Sequence, residues 1–178
     1  MIFKEILQRY SYADDKNIID RIKNCSGTNE SENRDIINSI VLWKINRQVD
    51  IGAKLFNAIK SINVTFLTFE SKEQEVKSII RNLLDIKGVR IAMASTILKM
   101  FYPKVFPIVD QRAYRELMGK ELPAFYGAKA NEKFVEMYYQ YIKDCHQYNK
   151  KFCPEIEFEN IDKILYQLDL EKGNKVNY

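Results

Sequence analysis

The sequence predicts an all-α fold, and three observations carry that reading. Apolar residues recur at helical spacing along most of the 178 residues. Strand-like alternation is confined to one short piece, residues 65–69. Helix start and stop signals separate the periodic segments: Asp14 and Asp15, Gly27, Gly52, Pro154, and the pair Ser71 with Gln74, which reads as a capping box.

Taken in order, a first amphipathic segment runs through Phe3, Ile6, Leu7 and Tyr10. A second follows Asp14 and Asp15, with Ile18, Ile19 and Ile22 on one face and Gly27 as its stop. The polar stretch 26–33 reads as a loop. Residues 35–47 form a well-buried helix through Ile36, Ile37, Ile40, Val41 and Trp43, and Gly52 separates it from a helix over 54–62. Residues 65–69 are the sole strand candidate, and 73–85 follow the capping box as a helix. Beyond the central region, 122–127 is a linker bearing Pro123 and Gly127. A long helix over 131–148 then carries Phe134, Tyr138, Tyr141 and Tyr148, and 161–170 is a last amphipathic helix before a polar tail.

Composition limits the function classes. Hydrophobic residues make up 46%, enough for a sizeable core and too many for wholesale disorder. Cys25, Cys145 and Cys153 are odd in number and far apart, so they supply neither a disulfide framework nor a four-cysteine metal or iron–sulfur site. Charges interrupt the first residues where a secretory leader needs an apolar core, and no apolar run is long enough to span a bilayer. A soluble, cytoplasmic protein is expected. Abundant Lys, Asn and Ile point to an AT-rich bacterial genome.

The net charge is only +4, but it is unevenly spread. Between Lys87 and Lys120 stand seven basic residues (Lys87, Arg90, Lys99, Lys104, Arg112, Arg115, Lys120) against Asp110 and Glu116, a local +5. That block is centred on an amphipathic helix, a tight turn at Lys87 and Gly88, and a second helix rich in small residues, Ala92, Ala94 and Ser95. A helix opening from such a turn leaves its first N–H groups unbonded, and with the positive end of its dipole it can hold a phosphate. Lys87, Gly88, Val89 and Arg90 are the candidate backbone-gripping residues of a helix-hairpin-helix over about 73–102.

The sequel is Phe101, Tyr102, Pro103, Lys104, Val105, Phe106, Pro107, Ile108, Val109 and Asp110, after which a new helix begins. With this addition the chain resembles the helix-hairpin-helix DNA glycosylases, especially the endonuclease III-like members. Residues 86–90, Ile-Lys-Gly-Val-Arg, stand where that family has Leu-Pro-Gly-Val-Gly. Val109 and Asp110 stand where it has its Val-Asp, and Gly88 and Asp110 lie 22 positions apart, the family's usual spacing. The resemblance implies a helical bundle of two lobes, residues 1–178 forming one unit in which the N- and C-terminal helices share the second lobe. It makes Asp110 the catalytic aspartate, double-stranded DNA the partner and base excision repair the setting. Ala92 stands at the position of the Schiff-base lysine, which removes the lyase route there. Arg90 replaces the hairpin's second glycine. No cofactor or iron–sulfur cluster is expected, although the resemblance allows a monovalent cation at the hairpin.

The expected activity is therefore that of a monofunctional DNA N-glycosylase, hydrolysing the bond to a damaged or modified base. The alternatives are a non-catalytic helix-hairpin-helix module and a helical interaction domain. Arg112 and Arg115 are further candidate DNA contacts. Trp43, Phe101, Tyr102, Phe125 and Tyr126 are the candidates for a base pocket or an inserted wedge. Asp110 also suits a helix N-cap, a role compatible with catalysis. His146, beside Cys145, reads as a surface or core histidine. Glu155, Glu157 and Glu159 read as a solvated loop or helix start, and no metal site is expected.

Overall fold

The computed structural model describes residues 2–8, 16–45 and 51–176, and within them every regular element is helical. In chain order these are α1 (Ile2–Gln8), α2 (Lys16–Asn24), α3 (Glu30–Ile45), α4 (Ala53–Ser61), α5 (Glu73–Leu84), α6 (Ile91–Phe101), α7 (Gln111–Met118), α8 (Ala130–Phe152) and α9 (Ile161–Glu171). Tyr10, Asp14, Asp15 and Arg47 lie outside the described residues.

Three local expectations are corrected. Residues 65–69 form no strand. Thr65 and Thr68 instead exchange side-chain and backbone hydrogen bonds around the 3₁₀ turn Phe66–Thr68. β-branched residues suit strands, but threonine hydroxyls can also satisfy the backbone of a turn. For the same reason the expected capping box at Ser71 is absent: its Oγ donates to the Thr68 carbonyl at 2.8 Å, and α5 opens without a side-chain cap. The stretch 26–33 is loop only up to Asn29. The Oδ1 of Asn29 accepts from the N–H groups of Ser31 and Glu32, so α3 starts at Glu30.

Helix α6 is the most deeply buried element. Ile91 and every residue from Met93 to Met100 are buried, while Ala92 is partly exposed. Its small residues let α2, α3, α4 and α5 pack around it. Along α3 the isoleucines 36, 37 and 40 and Val41 face inward, and α5 contributes Val76, Ile80 and Leu83. The remaining helices pack among themselves: α9 lies along α7 and touches α1 and α8, and α8 also meets α7. Helices α5 and α8 join the two sets of contacts, with ion pairs from Lys77 to Glu136 and from Arg81 to Glu132 on their shared edge. Among the described residues, the buried apolar side chains other than Ile108 belong to one continuous core.

His146 on α8 is part of that core. Its ring lies between those of Phe66 and Phe158, with centroids 4.0 and 3.5 Å away, and its Nε2 is 3.0 Å from the Val105 carbonyl. As the neutral tautomer it donates that bond. Burial lowers the imidazole pKa to about 4, against the pull of the Val105 carbonyl in the other direction. A depressed pKa means that the unfolded chain takes up the proton first. The stabilisation is therefore complete above the ordinary value of 6.5 and is lost as the pH falls towards 4. In His146→Gln, which keeps an N–H donor, unfolding followed between pH 7 and pH 4 should show a weaker acid destabilisation than in the wild type. Equal slopes would exclude this histidine as the source.

Candidate active site at the start of helix α7

The path to Asp110 begins where α6 stops. Tyr102 closes that helix and turns the chain, its carbonyl accepting from the N–H groups of Val105 and Phe106, each at 3.0 Å. Pro103 and Pro107 prevent either side of the turn from continuing as helix. The connection 102–110 is consequently irregular yet mostly buried, and its polar backbone needs partners that no ladder supplies.

Side chains from three helices supply them. His146 takes the Val105 carbonyl, and Tyr138 donates to the Pro107 carbonyl at 2.8 Å. Tyr141 reaches the Ile108 carbonyl at 3.4 Å. The Ile108 N–H donates to Asp162 Oδ2 at 2.7 Å, and the Val109 N–H to Ser95 Oγ at 3.1 Å. Asp162 is itself paired with Lys99, whose Nζ lies 2.6 Å from both carboxylate oxygens and also donates to the Glu159 carbonyl at 2.8 Å. The side chains of that pair are only 6% and 4% exposed, so the connection is clamped from inside the protein.

At the end of this connection Asp110 has extended backbone and caps α7. The N–H of Ala113 donates to its Oδ1 at 2.8 Å. Asp110 is partly buried. Burial raises its carboxyl above the ordinary range. The Ala113 N–H and the positive charge of Lys44 on α3 act the other way, and the negative charge of Asp162 adds to the rise. The Ser95 bond to Val109 fixes the neighbouring residue one turn into α6, about 6 Å along the axis from its first residue. Two helices thus meet beside the carboxylate, α6 through Ser95 and α7 itself, within electrostatic range of Lys44 on α3.

The hairpin turn lies just upstream of α6. Asp85 ends α5, the Val89 N–H donates to the Ile86 carbonyl at 3.0 Å, and Gly88 has φ +88°, a left-handed conformation that glycine adopts without strain. Arg90 opens α6 in extended conformation without a side-chain cap, and Ala94 is the first residue of α6 whose N–H reaches back to its carbonyl. Lys87, Gly88 and Arg90 are exposed, whereas Val89 is buried and anchors the turn. Neither Lys87 nor Arg90 makes an ion pair with a described residue.

Not every basic residue of the +5 block faces solvent. Arg115 forms a two-pronged pair with Asp169, each bond 2.8 Å, and reaches Glu121 at 2.8 Å. Arg112 donates to Asp169 at 3.1 Å and to the Asn174 carbonyl at 2.8 Å. Burial alone would raise the Asp169 carboxyl, but Arg115, Asn174 and Arg112 together hold it below the ordinary range. The two arginines expected to contact DNA therefore join α7 to α9 and the C-terminal segment. Lys99 is likewise internal.

The aromatic candidates separate as clearly. Phe101 packs edge-on against Phe56, and the Tyr102 hydroxyl donates to the carbonyls of Ile59 and Lys60 at 2.9 and 2.8 Å. Both also line a 710 Å³ groove with Ile19, Ile22 and Phe66. That groove is at the far end of α6 from the hairpin, about 15 Å along the helix, and Asp110 is not part of its lining. Trp43 is partly buried beside Lys44, and Phe125 packs edge-on against Phe134. Tyr126, by contrast, is 84% exposed.

Lys44, Ser95, Asp162, Tyr138 and Tyr141 are absent from the sequence-based candidates. Their significance depends on which elements pack together, and no local motif marks them. The cysteines 25, 145 and 153 are buried and unbridged, and among the described residues no cluster of three or more His, Cys, Asp or Glu side chains is arranged to hold a metal ion. No described helix is long and apolar enough to cross a membrane. Compared with protein-family models, curated proteins and solved structures, the chain matches none of them.

Proposed function

We propose that the protein is a monofunctional DNA N-glycosylase of the helix-hairpin-helix type, with Asp110 as its catalytic carboxylate and the turn at Lys87, Gly88 and Arg90 as its grip on the duplex backbone. The observation that carries this reading is the Ser95 bond to Val109, because it ties the residue before Asp110 to the very helix that the hairpin opens. The grouping of α2 to α6 apart from α1, α7, α8 and α9 is also what a two-lobed glycosylase would require.

Hydrolysis of an N-glycosidic bond develops positive charge on the sugar as the base departs, and water then adds to the same carbon. A carboxylate beside that carbon stabilises the charge and orients the water or accepts its proton. What supports this role for Asp110 is its partial exposure at the head of α7 and the cap to Ala113, which orients its carboxylate. Ala92 offers no amine, so strand cleavage through a Schiff base is not part of the proposal. Binding at the hairpin is to phosphate and sugar, and carries no base sequence preference.

The test uses the purified chain on duplexes that each carry one altered base, with alkali-labile abasic sites as the readout. Wild-type protein should produce such sites on at least one lesion, without breaking the strand before alkali. The double substitution Lys87→Glu/Arg90→Glu should weaken duplex binding strongly at low salt and leave the helical content unchanged, because both side chains lie in solvent. Undiminished binding by that variant would remove the hairpin from the proposal. Salt-dependent binding with no base released from any lesion would favour the non-catalytic module.

A further inference from the structure

The segment between α7 and α8 presents one aromatic ring to solvent beside the hairpin, and its construction is specific. Residues 121–126 carry no regular structure, so successive side chains can face opposite ways. Phe125 faces inward, its ring 4.8 Å from that of Phe134 with Lys133 above it at 5.8 Å. Tyr126 faces outward and is 84% exposed. Gly127, at φ +83°, then turns the chain, and its carbonyl accepts from the Ala130 N–H at 3.0 Å as α8 begins. The ring is thus held on a loop anchored at both of its neighbours.

That loop adjoins the hairpin. In the first turn of α8, Asn131 donates to Asp85 Oδ1 at 2.8 Å and lies 3.4 Å from the Leu84 carbonyl, the last residues before the turn at Lys87 and Gly88. Arg81 and Glu132 bind alongside, with one bond of 2.8 Å. The charges follow a pattern. Glu132 is taken by Arg81, Glu121 by Arg115, and Asp85 faces both Arg81 and Asn131. Lys87, Arg90, Lys120 and Lys129 are exposed and make no ion pair with a described residue. A solvent-facing ring set among uncompensated cations matches a polyanion with flat, stackable faces.

We infer that Tyr126 is a DNA-stacking residue that packs against a base or sugar of the duplex held by the hairpin, and that the contact surface extends from Lys87 and Arg90 across the loop to Lys129. This rests on the duplex-DNA reading above and adds to it the residue that engages the nucleic acid by contact rather than by charge. Stacking tolerates any base, so the contribution is independent of sequence.

The experiment measures affinity for a fluorescein-labelled duplex by anisotropy, over a series of salt concentrations, for wild type, Tyr126→Ala, Tyr126→Phe and Lys87→Glu/Arg90→Glu. Tyr126→Ala should weaken binding about tenfold, while Tyr126→Phe stays close to wild type. Because no charge is lost, the dependence of log affinity on log salt should keep its slope in both tyrosine variants, whereas the hairpin variant should flatten it. An unchanged affinity for Tyr126→Ala alongside loss in the hairpin variant overturns the stacking role and leaves the hairpin reading standing. Loss in Tyr126→Ala with full binding by the hairpin variant keeps the loop contact and overturns the hairpin. A wild-type protein that binds no duplex overturns both. Folding does not confound the result, since the ring is in solvent.

Discussion

Asp110→Asn is expected to abolish base release while leaving the folded protein at least as stable as before. Loss of a positioned acid–base group lowers a rate by about 10²–10⁴-fold, enough to bring excision to background in most assays. The amide is isosteric with the carboxylate and still accepts the Ala113 N–H, so α7 keeps its cap. Stability should move the opposite way from activity. A carboxyl whose pKa is raised by burial stabilises the fold while it is protonated, and that contribution is lost as the pH rises through the folded value. Above that folded value the wild type has lost it, whereas asparagine never ionises. The Tm of Asp110→Asn should therefore equal or exceed that of the wild type at pH 7, with the difference closing in acid. The wild-type rate should also fall on the acid side from a pH above the usual carboxylate range, since the working form is the ionised one. Excision by Asp110→Asn at the wild-type rate would eliminate the catalytic assignment, and a lower Tm at pH 7 would show that the carboxylate is chiefly structural.

The second large effect is on stability. Asp162→Ala should cost about 3–5 kcal/mol, because it leaves the Lys99 ammonium buried without its counter-charge. The Ile108 N–H loses its acceptor at the same time. For a chain of this size the Tm should fall by roughly 10 °C. Removing both charges is a different matter: a buried pair replaced by apolar groups of similar volume is often neutral. Lys99→Met/Asp162→Leu should thus recover most of the loss, short of about 1–3 kcal/mol for the orphaned Ile108 N–H. Thermal unfolding of the three proteins tests this, and a double variant no more stable than Asp162→Ala would show that the backbone contact, rather than the ion pair, dominates.

The helices were legible because each depends on a pattern within a dozen residues. The span expected at 73–85 is observed at Glu73–Leu84, and the one expected at 161–170 at Ile161–Glu171. Residues 65–69 misled because threonine serves both strand and turn, and only the packed structure decides between them. The candidate site was legible in part. The glycine of the turn and the aspartate heading α7 stand out by type and spacing, and Asp110 does cap that helix. The surroundings were not legible. Asp162 lies 54 positions from the Ile108 N–H that it accepts, and Asp169 takes up Arg112 and Arg115 from more than fifty positions away. Adding charges along a sequence overlooks such internal compensation, which is why the +5 block overstated the cationic surface.

The connection leading into α7 has a consequence for whatever binds at Asp110. A loop tethered only at its ends can swing to meet a ligand; this one is gripped along its length by groups from α6, α8 and α9. Its carboxylate is a fixed post, so under the proposed activity adaptation would fall to the incoming molecule, which would have to distort or rotate until its reacting atom came within reach.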